Sequence, residues 1–172
     1  WPPRDWWYVM CDVGQGGASV VHLSDGSALV IDVGPDPAAM RACLRDLGVR
    51  DVTAVLLTHF HADHVEGITG LTKQAHVRSA YSTPVHSPDS EWQRTRAALP
   101  IPLQELRAGD EVDFPGVTVR VLWPQPELVD GSPNNGSLVL DLEHAGLHAL
   151  FTGDAIAAGQ QAITLPLAGY AV

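Results

Sequence analysis

Seven residues, Thr58-His59-Phe60-His61-Ala62-Asp63-His64, constrain this chain more than any others. They follow an apolar, β-prone run from Val52 to Leu57 and precede Val65-Glu66-Gly67-Ile68, which can open a helix. A strand that stops abruptly and sets His, His, Asp and His in one turn is poorly explained by packing. Neutral imidazoles and a carboxylate are donors that Zn²⁺ prefers and, with more oxygen, Mn²⁺ or Fe. Only 8 of the 172 residues are His. Three within six positions is therefore a pattern, and a polar loop of unconnected histidines is the poorer reading.

The length suits one domain with a real core. Apolar residues make up 45% of the chain and charged residues 17%, a globular balance. No apolar run reaches the roughly 20 residues that span a bilayer, and no signal-peptide pattern opens the sequence. The expectation is a soluble domain, cut from a larger protein or standing alone. Cys11 and Cys43 fall on an expected strand and an expected helix, and both are read as core residues rather than a disulfide or ligand pair. The net charge of −10 argues against a generic nucleic-acid-binding surface. A polyanionic substrate would need metal ions or a local basic strip.

Trp1-Pro2-Pro3-Arg4 reads as a linker, residues 1–5, ahead of a domain over 6–172. A first strand, Trp6 to Val13, ends in Gly14-Gln15-Gly16-Gly17-Ala18. Ser19–Leu23 and Ala28–Val33 read as two strands hinged at Asp25-Gly26, and not as the helix a phosphate-binding loop requires. Asp36 as N-cap and Pro37 at the first position begin a helix whose apolar face is Met40, Cys43, Leu44 and Leu47. After the His cluster, one helix is expected over about His64 to Leu71, then a strand at Val77–Tyr81 and a helix from Ser87-Pro88-Asp89 to Ala98. Short strands are expected at Leu103–Leu106, Glu111–Phe114 and Val117–Leu122, then a Pro-rich loop to Pro133, a hairpin of Ser137–Glu143 and His148–Phe151, and a helix over Ala155–Ala162. Residues from Ile163 to Val172 show no clear period. The arrangement predicts a layered α/β fold with at least two mostly antiparallel sheets and helices outside.

Two further features sit at strand ends: Asn134-Asn135-Gly136-Ser137 and Thr152-Gly153-Asp154. Alone, the first reads as a turn and the second as a helix N-cap as readily as a site. Combined with His-x-His-x-Asp-His after a strand, they resemble the metallo-β-lactamase superfamily, an αβ/βα sandwich holding one or two metals at one edge. Cys11-Asp12-Val13-Gly14-Gln15-Gly16, Asn134 to Leu140 and Phe151 to Asp154 narrow the resemblance to the C-terminal domain of the ComEC group of DNA-uptake competence proteins. The resemblance implies one or two divalent metal ions, Zn or Mn. His59 and His61 would hold the first, Asp63 and His64 the second, with Asp154 between them. Asp63 would also be the catalytic residue that orients the attacking water. A carboxylate between two cations screens their repulsion, and water beside them loses its proton near neutral pH.

Three departures from the pattern are visible. Asn134 stands near the place where the superfamily usually has His, so Asn134, Asn135 and Ser137 are read as contacts to substrate or behind the metal ligands. Gly17 stands where the competence group usually has Asp. The family's later His-His-Gly motif does not come after Thr152-Gly153-Asp154, so the domain is expected to be incomplete at its C-terminal side. His22, His76, His86, His144 and His148 are isolated and read as surface or satisfied polar residues, and Arg94 and Arg96 as a solvated helix end.

The resemblance implies a metal-dependent phosphodiesterase acting on DNA, degrading the non-transported strand during uptake in natural transformation. Its partners would be DNA and the membrane-channel portion of the same polypeptide, with no lipid insertion by the domain itself. It would lie on the outer side of a bacterial inner membrane. The alternatives are a hydrolase of a small ester, lactone or thioester, and a non-catalytic module that binds DNA or a partner. The fold supports many chemistries, so residues at the site must separate these.

Overall fold

The computed structural model describes residues 6–162; the expected linker at 1–5 and the residues from 163 on lie outside them. The described residues form ten strands and five α-helices. The first three strands, β1 (Tyr8–Met10), β2 (Ala18–His22) and β3 (Ala28–Val33), form antiparallel neighbours. Helix α1 (Pro37–Asp46) starts as its sequence requires: the Asp36 carboxylate accepts from the Ala38 N–H at 2.7 Å, and Pro37 fills the first position. It ends at Gly48, whose φ of +75° a side chain would resist. Met40 and Leu44 form its buried stripe.

Strand β4 (Asp51–Leu57) then runs parallel to β3, and β5 (His76–Ser82) and β6 (Leu103–Glu105) continue the same direction. The six-stranded sheet has the order β1-β2-β3-β4-β5-β6. It is thus mixed, with three of its five pairings parallel, and corrects the expectation of mostly antiparallel sheets. The reason is connectivity. A helix between two strands returns the chain to its starting end, so the strands it joins lie parallel. Turn signals such as Asp25-Gly26 mark hairpins, but they say nothing of strands joined through helices.

The second sheet, β10-β9-β8-β7, is antiparallel throughout, from β7 (Glu111–Phe114), β8 (Val117–Trp123), β9 (Val139–His144) and β10 (Leu147–Phe151). The inner strands β3 and β4 are buried on both faces and read as continuous apolar runs. Val30, Val52 and Leu57 meet the helix layer of Met40, Leu44 and Leu71, whereas Leu29, Ile31 and Leu56 meet Val119, Val121 and Leu140 of the second sheet. The described residues therefore stack helices on sheet on sheet, the αβ/β part of the expected sandwich.

The helix expected over His64–Leu71 is two helices, α2 (Ala62–Val65) and α3 (Ile68–Gln74). Gly67 separates them. A Cβ there would lie 1.9 Å from the Val33 carbonyl oxygen, and the Gly67 N–H donates to the Gly34 carbonyl at 2.8 Å. The break is a close approach of backbones at the end of β3. Helix α4 (Asp89–Ala98) lies within its expected span, starting after Pro88, and α5 (Ala157–Ala162) lies within the last one.

Cys11 and Cys43 form a disulfide, with Cα atoms 5.8 Å apart, which corrects the reading of both as free core residues. Each cysteine sits on an apolar position as its local pattern suggests. Local pattern carries no distance between the end of β1 and the face of α1, and that distance decides the bond. No helix among the described residues is long and apolar enough to cross a membrane.

Candidate metal centre

The site forms where three strand ends converge. Strand β3 delivers Asp32, β4 delivers Thr58 to His64, and β10 delivers Thr152-Gly153-Asp154. The two sheets are joined at this edge by a main-chain bond, Leu138 N–H to the Thr58 carbonyl at 2.8 Å. Gly153 makes the closest approach possible. Its φ is +47°, and a Cβ there would lie 2.8 Å from the Thr58 hydroxyl and 3.1 Å from the Ser137 Cβ. Only glycine lets Asp154 be set down beside the His turn.

Asp32 lies beneath the ligands and is 3% exposed. One carboxylate oxygen accepts the Thr58 N–H at 2.7 Å; the other accepts the Thr58 hydroxyl at 2.7 Å and His64 Nδ1 at 2.7 Å. These bonds assign the tautomers. The Thr58 hydroxyl has spent its one proton on Asp32, so at 3.1 Å from His59 Nδ1 it accepts, and His59 carries its proton on Nδ1. His64 likewise donates from Nδ1 to Asp32. Both imidazoles therefore turn Nε2 toward Asp154: His64 Nε2 lies 3.3 Å from Oδ1 and His59 Nε2 3.8 Å from Oδ2. One carboxylate thus presents an oxygen to each histidine, as a bridging ligand must.

His61 Nδ1 lies 3.2 Å from His59 Nε2. Two ring nitrogens this close share either a proton or a cation. Ligand atoms of His59, His61 and Asp154 all fall within 4.8 Å of one another, and this set could hold a metal ion. The donors fit a divalent ion of borderline softness: neutral imidazoles plus a carboxylate, with the His orientations fixed by Asp32 behind them. Burial, aided by the neighbouring His64, pushes the pKa of His59 down to about 4, which keeps its lone pair available near neutral pH. Burial opposes a charge on His64 too, but the hydrogen bond and charge of Asp32, with Asp154 and Asp63 beyond, raise its pKa. A proton and a cation therefore compete for His64 Nε2.

Asp63, His64 and Asp154 line a cleft of about 390 Å³, with Gly16, Gly17 and Phe151 on its walls. None of the described residues lining it is Lys or Arg. The glycine turn after β1 bears directly on the ligands. A Cβ at Gly16 would lie 1.9 Å from the Asp63 carbonyl oxygen, and one at Gly17 would lie 3.2 Å from the His64 ring.

The structure thus gathers His59, His61, His64 and Asp154 at one point and sets Asp63 on the wall of the same cleft. Asn134, Asn135 and Ser137 do not line that cleft. They pack behind it, where the Thr83 hydroxyl donates to the Gly136 carbonyl and Trp123 Nε1 to the Asn135 carbonyl, each at 2.5 Å. The buried side-chain oxygens of Asn134, Asn135 and Ser137 have no hydrogen-bond partner among the described residues. The other described histidines are engaged elsewhere: His86 with Glu105, His144 with the Gly116 carbonyl, His148 with Asp141. Arg94 pairs with Glu91, and Arg96 lies over the Trp92 ring at 5.1 Å. Asp32 went unassigned in the sequence. Its signal was a carboxylate inside the apolar run Ala28–Val33, where charge is admitted only with partners.

A family model described as the metallo-beta-lactamase superfamily matches residues 11–170. A hydroxyacylglutathione hydrolase of Rhodopseudomonas palustris is 34% identical over 103 residues, covering 60% of this chain and 36% of that protein. An exodeoxyribonuclease YycJ of Bacillus anthracis is 30% identical over 81 residues, covering 46% and 28%. ComE operon protein 3 of Bacillus subtilis is 29% identical over 120 residues, covering 67% and 15%. Among solved structures, a metallo-beta-lactamase from Cronobacter sakazakii superposes with a TM-score of 0.63 at 18% identity, covering 87% of this chain and 62% of that one, which is a likeness of fold. The chain spans less than half the length of the curated relatives it matches.

Proposed function

Because the chain belongs to the metallo-beta-lactamase superfamily, we propose that it is a metal-dependent hydrolase domain and that its substrate is a phosphodiester of DNA. One observation carries the metal chemistry: two buried imidazoles, oriented from behind by Asp32 and Thr58, present Nε2 to opposite oxygens of Asp154. Acceptor atoms facing one another this closely need a proton or a cation between them, and neutral imidazoles grouped with a carboxylate suit a divalent ion.

His59, His61 and Asp154 are assigned the first ion, and His64 with Asp154 and Asp63 a second. A bound divalent ion supplies Lewis acidity and lowers the pKa of water. Zn²⁺ suits the imidazoles, and Mn²⁺ suits the share of carboxylate oxygen. Asp63 orients the attacking water and takes its proton. The water oxygen adds to phosphorus, the bond to the leaving sugar oxygen breaks, and that oxygen takes up the proton Asp63 accepted. None of the described residues lining the cleft is Lys or Arg, so divalent ions held by these ligands would supply the positive charge that a phosphate needs.

The DNA assignment draws on likeness to an exodeoxyribonuclease and to ComE operon protein 3. It fits a domain that works beside the membrane channel of its own polypeptide, on the outer side of the inner membrane, trimming the strand that is not taken up. The Cys11–Cys43 disulfide agrees with that side, since such bonds persist in oxidising compartments. A second reading, hydrolysis of a small thioester, is favoured by likeness to hydroxyacylglutathione hydrolase and by Ile31 and Phe151 in the cleft lining.

The test is cleavage of labelled linear DNA, compared with hydrolysis of a glutathione thioester, in EDTA, Zn²⁺ and Mn²⁺, for the wild type and Asp63→Ala. Metal-dependent DNA cleavage lost in Asp63→Ala is the expected result. Thioester turnover without DNA cleavage transfers the assignment to the second reading. No turnover of either substrate, with metal bound, makes the domain a binding module.

A further inference from the structure

We propose that the Cys11–Cys43 disulfide is a positioning element of the metal centre, clasping the glycine turn that braces Asp63 and His64. This role rests on the metal assignment proposed for the site.

The turn Asp12–Gly17 begins one residue after β1, a three-residue strand that, among the described residues, pairs on one side only. Gly14 and Gly16 have φ of +80° and +87°, and residues 14 to 16 are exposed. Edge segments and exposed glycines are the parts of a fold that open most easily. Yet this turn lies so near the site that an added Cβ would meet the Asp63 backbone at Gly16 and the His64 ring at Gly17. Its order must be imposed from outside.

Three attachments impose it. The Cys11 N–H donates to the Ala18 carbonyl at 2.9 Å and closes the base of the turn. The Gly34 N–H donates to the Gly17 carbonyl at 2.8 Å. The third is covalent and leads to α1, whose Met40 and Leu44 are fully buried. Helix α1 is itself fixed at its start, because Gly70 of α3 packs against the Pro37 backbone with no room for a Cβ. The chain of contact runs from the core through Cys43 and Cys11 to Gly16 and Gly17, and from there to Asp63 and His64.

The experiment is Co²⁺ titration of metal-free protein, read by the visible ligand-field band. It compares the wild type with Cys11→Ala/Cys43→Ala, and with Leu99→Ala, which opens a cavity in the helix-side core. All are measured where circular dichroism shows a folded chain. The double variant is expected to bind Co²⁺ about tenfold or more weakly, the scale seen when supports of metal ligands are removed, with a shifted band. Leu99→Ala is expected to keep the wild-type affinity and band. Equal affinity and spectrum in the double variant overturn the clasp, as does an equal loss in Leu99→Ala, which would make the effect general destabilisation. A double variant that does not fold at any temperature also overturns it, since the disulfide is then a staple of the whole fold. Wild-type protein that takes up no Co²⁺ sinks the metal assignment instead.

Discussion

Asp32 accepts three hydrogen bonds from groups that aim the site, and its backbone holds a φ of +55° to do so. Asn tolerates that conformation better than other residues, so Asp32→Asn keeps the turn but removes the charge and part of the acceptor capacity. The expected result is a fall in metal affinity of about 10- to 100-fold, measured by calorimetric titration of Zn²⁺; an unchanged affinity would show that His64 and Thr58 hold their orientation unaided. The glycines allow a paired test. At Gly16 an added Cβ meets the Asp63 carbonyl oxygen at 1.9 Å with φ at +87°, whereas at Gly26 it meets nothing within 4 Å at a similar φ of +83°. Gly26→Ala should therefore cost only the left-handed strain, about 1–2 kcal/mol. Gly16→Ala should cost that plus about 1–3 kcal/mol of overlap. Urea unfolding of the two variants measures the difference, and equal midpoints would mean that the turn yields freely.

At the scale of elements, the metal turn is a strand end whose shape is set by what surrounds it. Strand β4 stops at Leu57, and Leu138 and Asp32 hold the main chain of Thr58 from two sides. Helix α2 is only four residues long, too short to be stable alone, so tertiary contact at Gly67 and the glycine turn maintain it. The disulfide joins β1 to α1 across a sequence separation of 32 residues. Loop-closure entropy gives such a link about 3–4 kcal/mol of stability. Cys11→Ala/Cys43→Ala should lose an amount of that order in urea unfolding, and a loss under about 1 kcal/mol would mean that the unfolded chain is already compact there.

For the whole molecule, the proposed metal binding would be linked to folding, because the candidate ligands come from the end of β4 and from the segment after β10 and meet only in the native state. Metal at about 100 times its dissociation constant adds about 2.7 kcal/mol, which for a domain of this size raises Tm by about 5–10 °C. Calorimetry with Zn²⁺ and then EDTA should show that rise and its reversal; a Tm indifferent to metal would count against a site assembled from distant segments.

What the amino-acid sequence determined by itself was local. The His turn after an apolar strand, the Asp36-Pro37 start of α1 and the Asp25-Gly26 hinge are each written within a few residues, because their causes are backbone geometry and short-range hydrogen bonding. Asp154 was legible only by resemblance, since nothing near it distinguishes a ligand from a helix cap. Tertiary structure decided the rest: that β3 to β6 run parallel, that Cys11 meets Cys43, and that Asp32 lies under His64. Each of these depends on a distance between segments far apart in the chain, and periodicity and composition do not encode such distances. They are settled when burial packs the helices and the second sheet against opposite faces of the first, and the site exists only where the strand ends then coincide.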